Sequence, residues 1–324
     1  MRLVNRIIQS QIRKANIGNL SRFNDGNLHV VLVGTNGPLN RKNRGACTCT
    51  AIIAGKKMFL FDIGPGAWRN ADIQGLPLNQ LTAIFLTHFH SDHIGDLGEA
   101  NFGSWVQGRT DPIEIYGGKG VEEVVNGFTQ AYLHDSKYRV AHHDEDVMPI
   151  EAAIPRAIQL PSLPLDKPTL VFNKDGLEIS AFPVDHSPVH PAIGYRIEYK
   201  RKSVVITGDT IKTQNLAKFA HHADILICDS LSHQLMEWVG ATLAQSGHKR
   251  LAKISRDLHT YHMNPTQAGE IASEASVVLL VLTHSVPPVP NIFLRFFFLK
   301  PAKQTFKGKI KLGKDGMHFT LGGK

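Results

Sequence analysis

Thr87-His88-Phe89-His90-Ser91-Asp92-His93 follows directly on the apolar run Ala83-Ile84-Phe85-Leu86. Four side chains able to bind a metal therefore fall within six positions, at the mouth of an expected strand. Alternation along an extended segment sends His88 and His90 to the same side, so their imidazoles can share one cation. A turn after them aims Asp92 and His93 elsewhere, towards a second cation close by. Imidazoles and a carboxylate without a thiolate suit zinc, with manganese or iron as alternatives. A lone histidine is usually a surface or core residue, and 17 histidines in 324 residues pair by chance. Four ligand types in this tight order, after a buried strand and before Gly95, are far harder to obtain by accident.

The rest of the composition is that of a soluble globular protein, with 42% hydrophobic and 20% charged residues. The apolar stretch Val277 to Leu282 is far too short to cross a bilayer. Three cysteines, Cys47, Cys49 and Cys228, are an odd number and make no disulfide framework, which fits buried thiols in a reducing, cytoplasmic setting. A formal charge of +8 favours anionic partners. Basic residues gather in Arg41-Lys42-Asn43-Arg44, in Lys200-Arg201-Lys202 and from Lys300 to Lys314. Aromatic residues are not interleaved with these clusters as in a single-strand stacking platform.

No uninterrupted apolar core follows Arg2, so residues 1–27 are not read as a secretory signal. Leu3, Ile7, Ile8 and Ile12 share one helical face with Arg2, Arg6, Arg13 and Lys14 elsewhere, giving a basic amphipathic helix. Packing on the protein body is the expectation for it, and peripheral contact with a membrane is the alternative. The segment Ile292 to Leu299, with Phe293, Phe296, Phe297 and Phe298, reads as core, as a pocket wall or as a membrane-facing patch.

Strands are expected at His29–Val33, Thr48–Ala54, Met58–Asp62, Thr82–Leu86 and Ile113–Tyr116, and then a helix from Val121 to Tyr132. Residues 140–168 read as a long loop, from which His142 and His143 could reach the site. Further strands are expected at Leu177–Pro183, Ile193–Tyr199, Ser203–Thr207, Ile225–Cys228 and Val277–Thr283. Gly308–Leu312 and Met317–Leu321 read as short strands around a Lys-Asp-Gly turn. Residues 28–324 are taken as one domain of two sheet layers covered by helices.

A two-metal site needs more ligands, and strand ends downstream supply them. Asp185-His186 ends one apolar strand, Gly208-Asp209-Thr210 a second, and His284 a third. With these residues in this order, the chain resembles the metallo-β-lactamase superfamily from about His29 onward. The resemblance implies an α+β fold, a four-layer αββα sandwich with two metals at one edge between its sheets. It implies that His88, His90 and His186 hold the first metal, Asp92, His93 and His284 the second, and that Asp209 bridges them. His190 is a rival for the third position. Asp62, in Phe61-Asp62-Ile63-Gly64, looks like the acid that orients the motif.

Within the superfamily the likeness is to the ribonuclease Z and arylsulfatase-like branch. It is carried by Gly34-Thr35, Tyr116-Gly117-Gly118-Lys119-Gly120, Gly194-Tyr195-Arg196, Leu282-Thr283-His284 and Tyr261-His262-Met263-Asn264-Pro265-Thr266. This makes His262 the candidate general acid and, with Asp92, the candidate catalytic pair. The implied activity is a dinuclear zinc-dependent hydrolysis of a phosphodiester or sulfate ester, through a hydroxide shared by the metals. Lactonase or β-lactamase-type hydrolysis and iron-dependent sulfur oxygenation on the same fold are the alternatives. Two departures weigh against transfer-RNA cleavage. Only Ile197 to Ile206 stands where those nucleases insert a long arm, and Asp229-Ser230-Leu231 stands where they carry His-Glu-Ala. A small anionic ester is the expected substrate, with nucleic acid allowed by charge but unsupported by an arm, and a homodimer left open.

Overall fold

The structure is a computed structural model that describes residues 1–15, 20–38 and 45–322. The cluster Arg41-Lys42-Asn43-Arg44 lies outside the described residues.

The first half of the chain runs α1 (Arg2–Ala15), β1 (Leu28–Gly34), β2 (Cys49–Ala54), β3 (Lys57–Phe61), α2 (Ala67–Ile73), β4 (Leu81–Phe85), α3 (Ser91–Ile94), α4 (Leu97–Val106), β5 (Glu114–Gly117), α5 (Val121–His143), α6 (Ile150–Ala153) and β6 (Arg156–Gln159). The second half runs β7 (Thr169–Lys174), β8 (Leu177–Pro183), β9 (Ile193–Tyr199), β10 (Lys202–Ile206), α7 (Gln214–Phe219), β11 (Ile225–Leu231), α8 (His233–Gln245), α9 (Lys249–Asp257), α10 (Pro265–Glu274), β12 (Leu279–Val286), α11 (Ile292–Thr305), β13 (Lys309–Leu312) and β14 (Met317–Leu321). Two seven-stranded sheets result, in the orders β14-β1-β2-β3-β4-β5-β6 and β13-β12-β11-β10-β9-β8-β7.

Strand alternation decides what each residue covers. In β1, Leu28, Val30 and Leu32 enter the core between the sheets, while Val31 and Val33 pack beneath the helices that cover the outer face. In β10 and β11, Val204, Ile206, Ile225 and Ile227 face the other sheet, and Val205, Leu226 and Cys228 face α7, α10 and α11. Both faces of these strands are buried, so they read as continuous apolar runs rather than alternating ones. This is the expected αββα sandwich. Its middle is aromatic: the Phe85 ring stacks on Tyr116 at 4.6 Å between centroids and on Phe61 at 5.1 Å.

Several local expectations are corrected. The helix begun at Val121 continues to His143, and residues 140–168 contain α6 and β6 rather than one long loop. Only Val121, Val125 and Ser136 of α5 are buried, so its apolar periodicity fades long before the helix ends. His142 and His143 lie in its last turn, exposed and in contact with each other, where cations suit the helix dipole. The last two strands do not form a hairpin. β13 pairs with β12 and β14 with β1, so the Lys-Asp-Gly turn crosses from one sheet to the other. The N-terminal helix forms, but Leu3, Val4, Ile7 and Ile8 are all exposed instead of packed on the body. No described helix is long and apolar enough to cross a membrane.

What this framework does for the site is set direction. β3 to β6 run parallel to one another, as do β10 to β13, and their carboxyl ends meet at one edge of the sandwich. Truncating Phe85→Ala should remove the shared stacking partner of Phe61 and Tyr116. Urea unfolding should show a loss of about 3–5 kcal/mol.

Candidate metal centre

Each candidate metal ligand arrives at or just after the end of a strand. His88 and His90 follow β4, and α3 turns Asp92 and His93 back towards them. His88 Nε2 and His90 Nδ1 stand 2.9 Å apart, so the alternation read from the sequence does bring both imidazoles together. His186 follows β8 and places its Nε2 3.4 Å from His90 Nδ1. The rival His190 is exposed on the same loop, with Nε2 3.4 Å from the Ser187 hydroxyl, and stands outside the cluster.

Asp209 follows β10 through Gly208, whose φ of +64° belongs to the left-handed region. A Cβ on Gly208 would lie 2.7 Å from the Thr87 side chain, so glycine is what lets this loop close over the motif. His284 is delivered by a bulge: β12 gains a residue against β11 between Thr283 and Ser285, and His284 has φ +47°. The extra residue re-aims its ring towards the opposite sheet. His284 Nε2 then lies 3.0 Å from Asp92 Oδ2.

These pieces converge on one oxygen. Asp209 Oδ2 lies 3.3 Å from His93, 3.5 Å from His284, 3.9 Å from His186 and His262, and 4.0 Å from His88. Burial alone would protonate this carboxyl, but His284, His93 and His262 around it hold it well below the usual carboxylate range. The same balance acts on the rings. Burial works against a cation at His284, yet Asp209 and Asp92 raise it to about 9. His93 is likewise held well above the ordinary imidazole range, because Asp209 and Asp62 outweigh burial. His88 goes well down, and His186 falls to about 4, through burial.

The far nitrogens are fixed by a surrounding set of acceptors. Asp62 accepts from the Thr87 N–H and hydroxyl, both at 2.8 Å, and its Oδ2 lies 2.8 Å from His93 Nδ1. It does so from a left-handed backbone, φ +57°, a conformation costly for a non-glycine residue. The Tyr261 carbonyl holds His186 Nδ1 at 2.8 Å. Asp62 thus stands where the sequence reading put the orienting acid.

His262, 5% exposed, enters beside His284 from the turn before α10. Asn264 and Gln267 cap α10 reciprocally, and the Met263 carbonyl accepts the Leu231 N–H at 2.8 Å, so the turn is pinned. His262 Nδ1 lies 2.8 Å from Asp229 Oδ2. Asp229 is the functional candidate that the sequence reading noted only as a departure. Burial raises its carboxyl to about 6. Its one visible signal was a polar residue ending an apolar strand, Ile225-Leu226-Ile227-Cys228-Asp229.

The arrangement can hold cations. His88, His90, His186 and Asp209 form one group and Asp92, His93 and His284 another, with the ligand atoms of each within 4.8 Å of one another. His93 Nε2, Asp209 Oδ1 and His284 Nδ1 are buried with no hydrogen-bond partner among the described residues. Buried donors and acceptors are rarely left so. Divalent cations fit this set, since they would take the place of the protons on His93 and His284.

The comparisons agree with this geometry. The profile described as "Beta-lactamase superfamily domain" matches residues 57–285. A protein named ribonuclease Z from Mycolicibacterium gilvum is 36% identical over 265 residues, which is 80% of this chain and 85% of that protein. Another ribonuclease Z, from Mycolicibacterium paratuberculosis, is 34% identical over 291 residues, 89% of this chain and 96% of its own. Among solved structures, the metallo-beta-lactamase fold protein YhfI from Bacillus subtilis superposes with TM-score 0.63 at 21% identity, covering 91% of this chain and 99% of that one. The short form of human tRNase Z does so with TM-score 0.62 at 21% identity, with the same two coverages.

Replacing Asp62 by Ala should leave the secondary structure intact and weaken retention of a divalent metal by about 10–100-fold in a chelator competition, because His93 and the Thr87 turn lose their anchor. From strand-end histidines to sequence relatives, these findings lead to one conclusion: the chain belongs to the metallo-β-lactamase superfamily and is a metal-dependent hydrolase of its ribonuclease Z-like branch.

Proposed function

We propose that this chain is a dinuclear zinc hydrolase that cleaves phosphodiesters with a modest leaving portion. The observation that carries this reading is the single carboxylate oxygen of Asp209 standing 3.3–4.0 Å from five imidazoles, four of which (His88, His186, His93 and His284) belong to two adjoining donor groups. His88, His90 and His186 would hold one zinc, Asp92, His93 and His284 the other, and Asp209 both. Such a pair supplies an activated water near neutral pH and a positive field for a phosphoryl oxygen. The all-imidazole and carboxylate set favours zinc, with manganese or iron as substitutes.

The protein's own part is orientation and proton supply. With its Nδ1 held by Asp229, His262 keeps Nε2 for the leaving oxygen, to which it gives a proton as general acid. Asp229 fixes that tautomer and the orientation of the ring. Asp92, 3.0 Å from His284 and 3.7 Å from His93, holds both rings towards Asp209.

The relatives named ribonuclease Z support a phosphodiester over a sulfate ester or a lactone. The substrate's size is limited by the connection between β9 and β10, which is only Lys200-Arg201, two residues in the left-handed region. A hairpin this tight offers no arm to grip a folded RNA, so short nucleic acids or small aryl phosphodiesters fit the reading better. The cysteines are free, with Cys49 and Cys228 buried, as a reducing cytoplasm permits.

Zinc-loaded protein offered an aryl phosphodiester, an aryl sulfate, a lactone and a chromogenic cephalosporin should turn over the phosphodiester best. Asp209→Ala should abolish this turnover and reduce bound zinc. Preference for the lactone or the cephalosporin would reject the assignment. His262→Ala should keep its zinc and lose about 10²–10⁴-fold in rate on alkyl leaving groups but little on nitrophenolate, and Asp229→Asn should follow the same pattern. An equal loss on good and poor leaving groups would remove His262 from the acid role.

A further inference from the structure

α11 has two unlike faces. Phe298, Leu299 and Ala302 are buried against α10 and the outer face of the second sheet. On the other side Phe293, Phe296, Phe297, Lys300 and Lys303 fall at intervals of three and four, forming one stripe along the helix. Phe293 is 82% exposed and Phe296 62%. Ile292 at the start of the helix is 72% exposed, and Trp238 of α8, 53% exposed, packs its ring 5.7 Å from that of Phe297. A contiguous patch of this kind on a soluble chain marks a binding surface.

Charge says what covers it. α11 contains no acidic residue, and its stripe runs from aromatic rings at the N-terminal half to exposed lysines at the C-terminal half. The whole chain carries +8. A second copy would bring one excess of positive charge against another. An anionic lipid surface meets both halves, taking the rings and Ile292 at the level of the upper acyl chains and the ammonium groups among the headgroups. Single-stranded nucleic acid would satisfy the lysines but leave Ile292 and Val239, which is 36% exposed, in water.

A second element has the same character. α1 is 14 residues long, and every side chain from Met1 to Gln11 is exposed, including Leu3, Val4, Ile7 and Ile8. A helix of about 12–15 residues is marginal in water without a surface to pack on. Its arginines, Arg2 and Arg6, repeat the pairing of apolar and cationic groups.

We propose that the aromatic stripe of α11, with Trp238, docks this protein on anionic phospholipid bilayers, and that α1 folds onto the same kind of surface. The start of α11 also lines a cavity of about 450 Å³ together with Thr35, Ser285, Arg295 and Lys314. Ser285 follows the candidate ligand His284, so docking would bring the site's edge close to the lipid surface.

The test is co-sedimentation of the full-length protein with vesicles of phosphatidylcholine containing about one third phosphatidylglycerol, beside vesicles of phosphatidylcholine alone. Binding should require the anionic lipid and weaken as salt rises. Phe293→Ser with Phe296→Ser should reduce it by about tenfold or more, and Lys300→Glu with Lys303→Glu should also reduce it. Both double variants should keep the zinc content and thermal transition of the parent, because the altered side chains are exposed. Three outcomes would overturn the proposal. One is vesicle binding unchanged in both variants. The second is a dimer in sedimentation velocity that Phe293→Ser with Phe296→Ser dissociates. The third is a single-stranded oligonucleotide bound through the same residues in place of vesicles. None of these depends on which ester is cleaved, so the phosphodiester reading stands or falls separately.

Discussion

A carboxylate with no solvent around it, ringed by five imidazoles, is the constraint on which the rest of the molecule turns. Asp209 is 3% exposed, and an ionised carboxyl there survives only because positive charge lies within 4 Å on several sides. The apparatus around it supplies that charge in a fixed place. Protons on His93 and His284 do so in the metal-free protein, and bound divalent cations would do so in their place, with the unpartnered His93 Nε2 among the atoms available to them. Metal binding at this site would therefore be coupled to native packing. Removing Asp209 alone would take away the one carboxylate that all five rings share, leaving His284 with Asp92 and His93 with Asp62.

The sandwich exists to satisfy that constraint from distant parts of the sequence. His93 and His284 are almost two hundred positions apart, yet each needs only to sit at the carboxyl end of a strand in its own sheet. Parallel strands guarantee that such ends share an edge. Fine placement is then done by local departures from regular backbone. Asp62 and His284 adopt left-handed φ values, Gly208 does so without steric cost, and the bulge in β12 turns His284 inward. The regular elements bring the residues near, and the irregular ones aim them.

This division explains what could be read from the sequence. Runs buried on both faces and ended by one polar residue were legible, so the sheets, the motif at 88–93, His186, Asp209 and His284 could all be named from the residues and their family likeness. Asp229 was not, because its role rests on a contact with His262, 33 positions away, that no local pattern encodes. The fate of the last two strands was equally hidden. Lys309–Leu312 and Met317–Leu321 have the pattern of a hairpin, and only the two prepared edges, β12 and β1, pull them into different sheets. The extent of α5 escaped because a mostly exposed helix shows no apolar period, and the exposure of α1 because amphipathicity tells that a face wants cover without telling who provides it.

The tight turn at Lys200-Arg201 ties these threads together. A nuclease that must hold a folded RNA needs contacts well beyond the scissile bond, since specificity comes from groups that do not react. Here the β9–β10 connection gives none, and the charge that would grip a phosphate backbone is spread over the surface, with a dense part on α11 beside exposed aromatic rings. If the centre does act on small esters, selectivity can also come from where the protein is held. Confinement to a surface is one physical route, because it raises the local concentration of whatever ester lies there and excludes the rest. The pairing of a capable centre with an unusually apolar, cationic neighbouring helix is the combination that such a strategy requires.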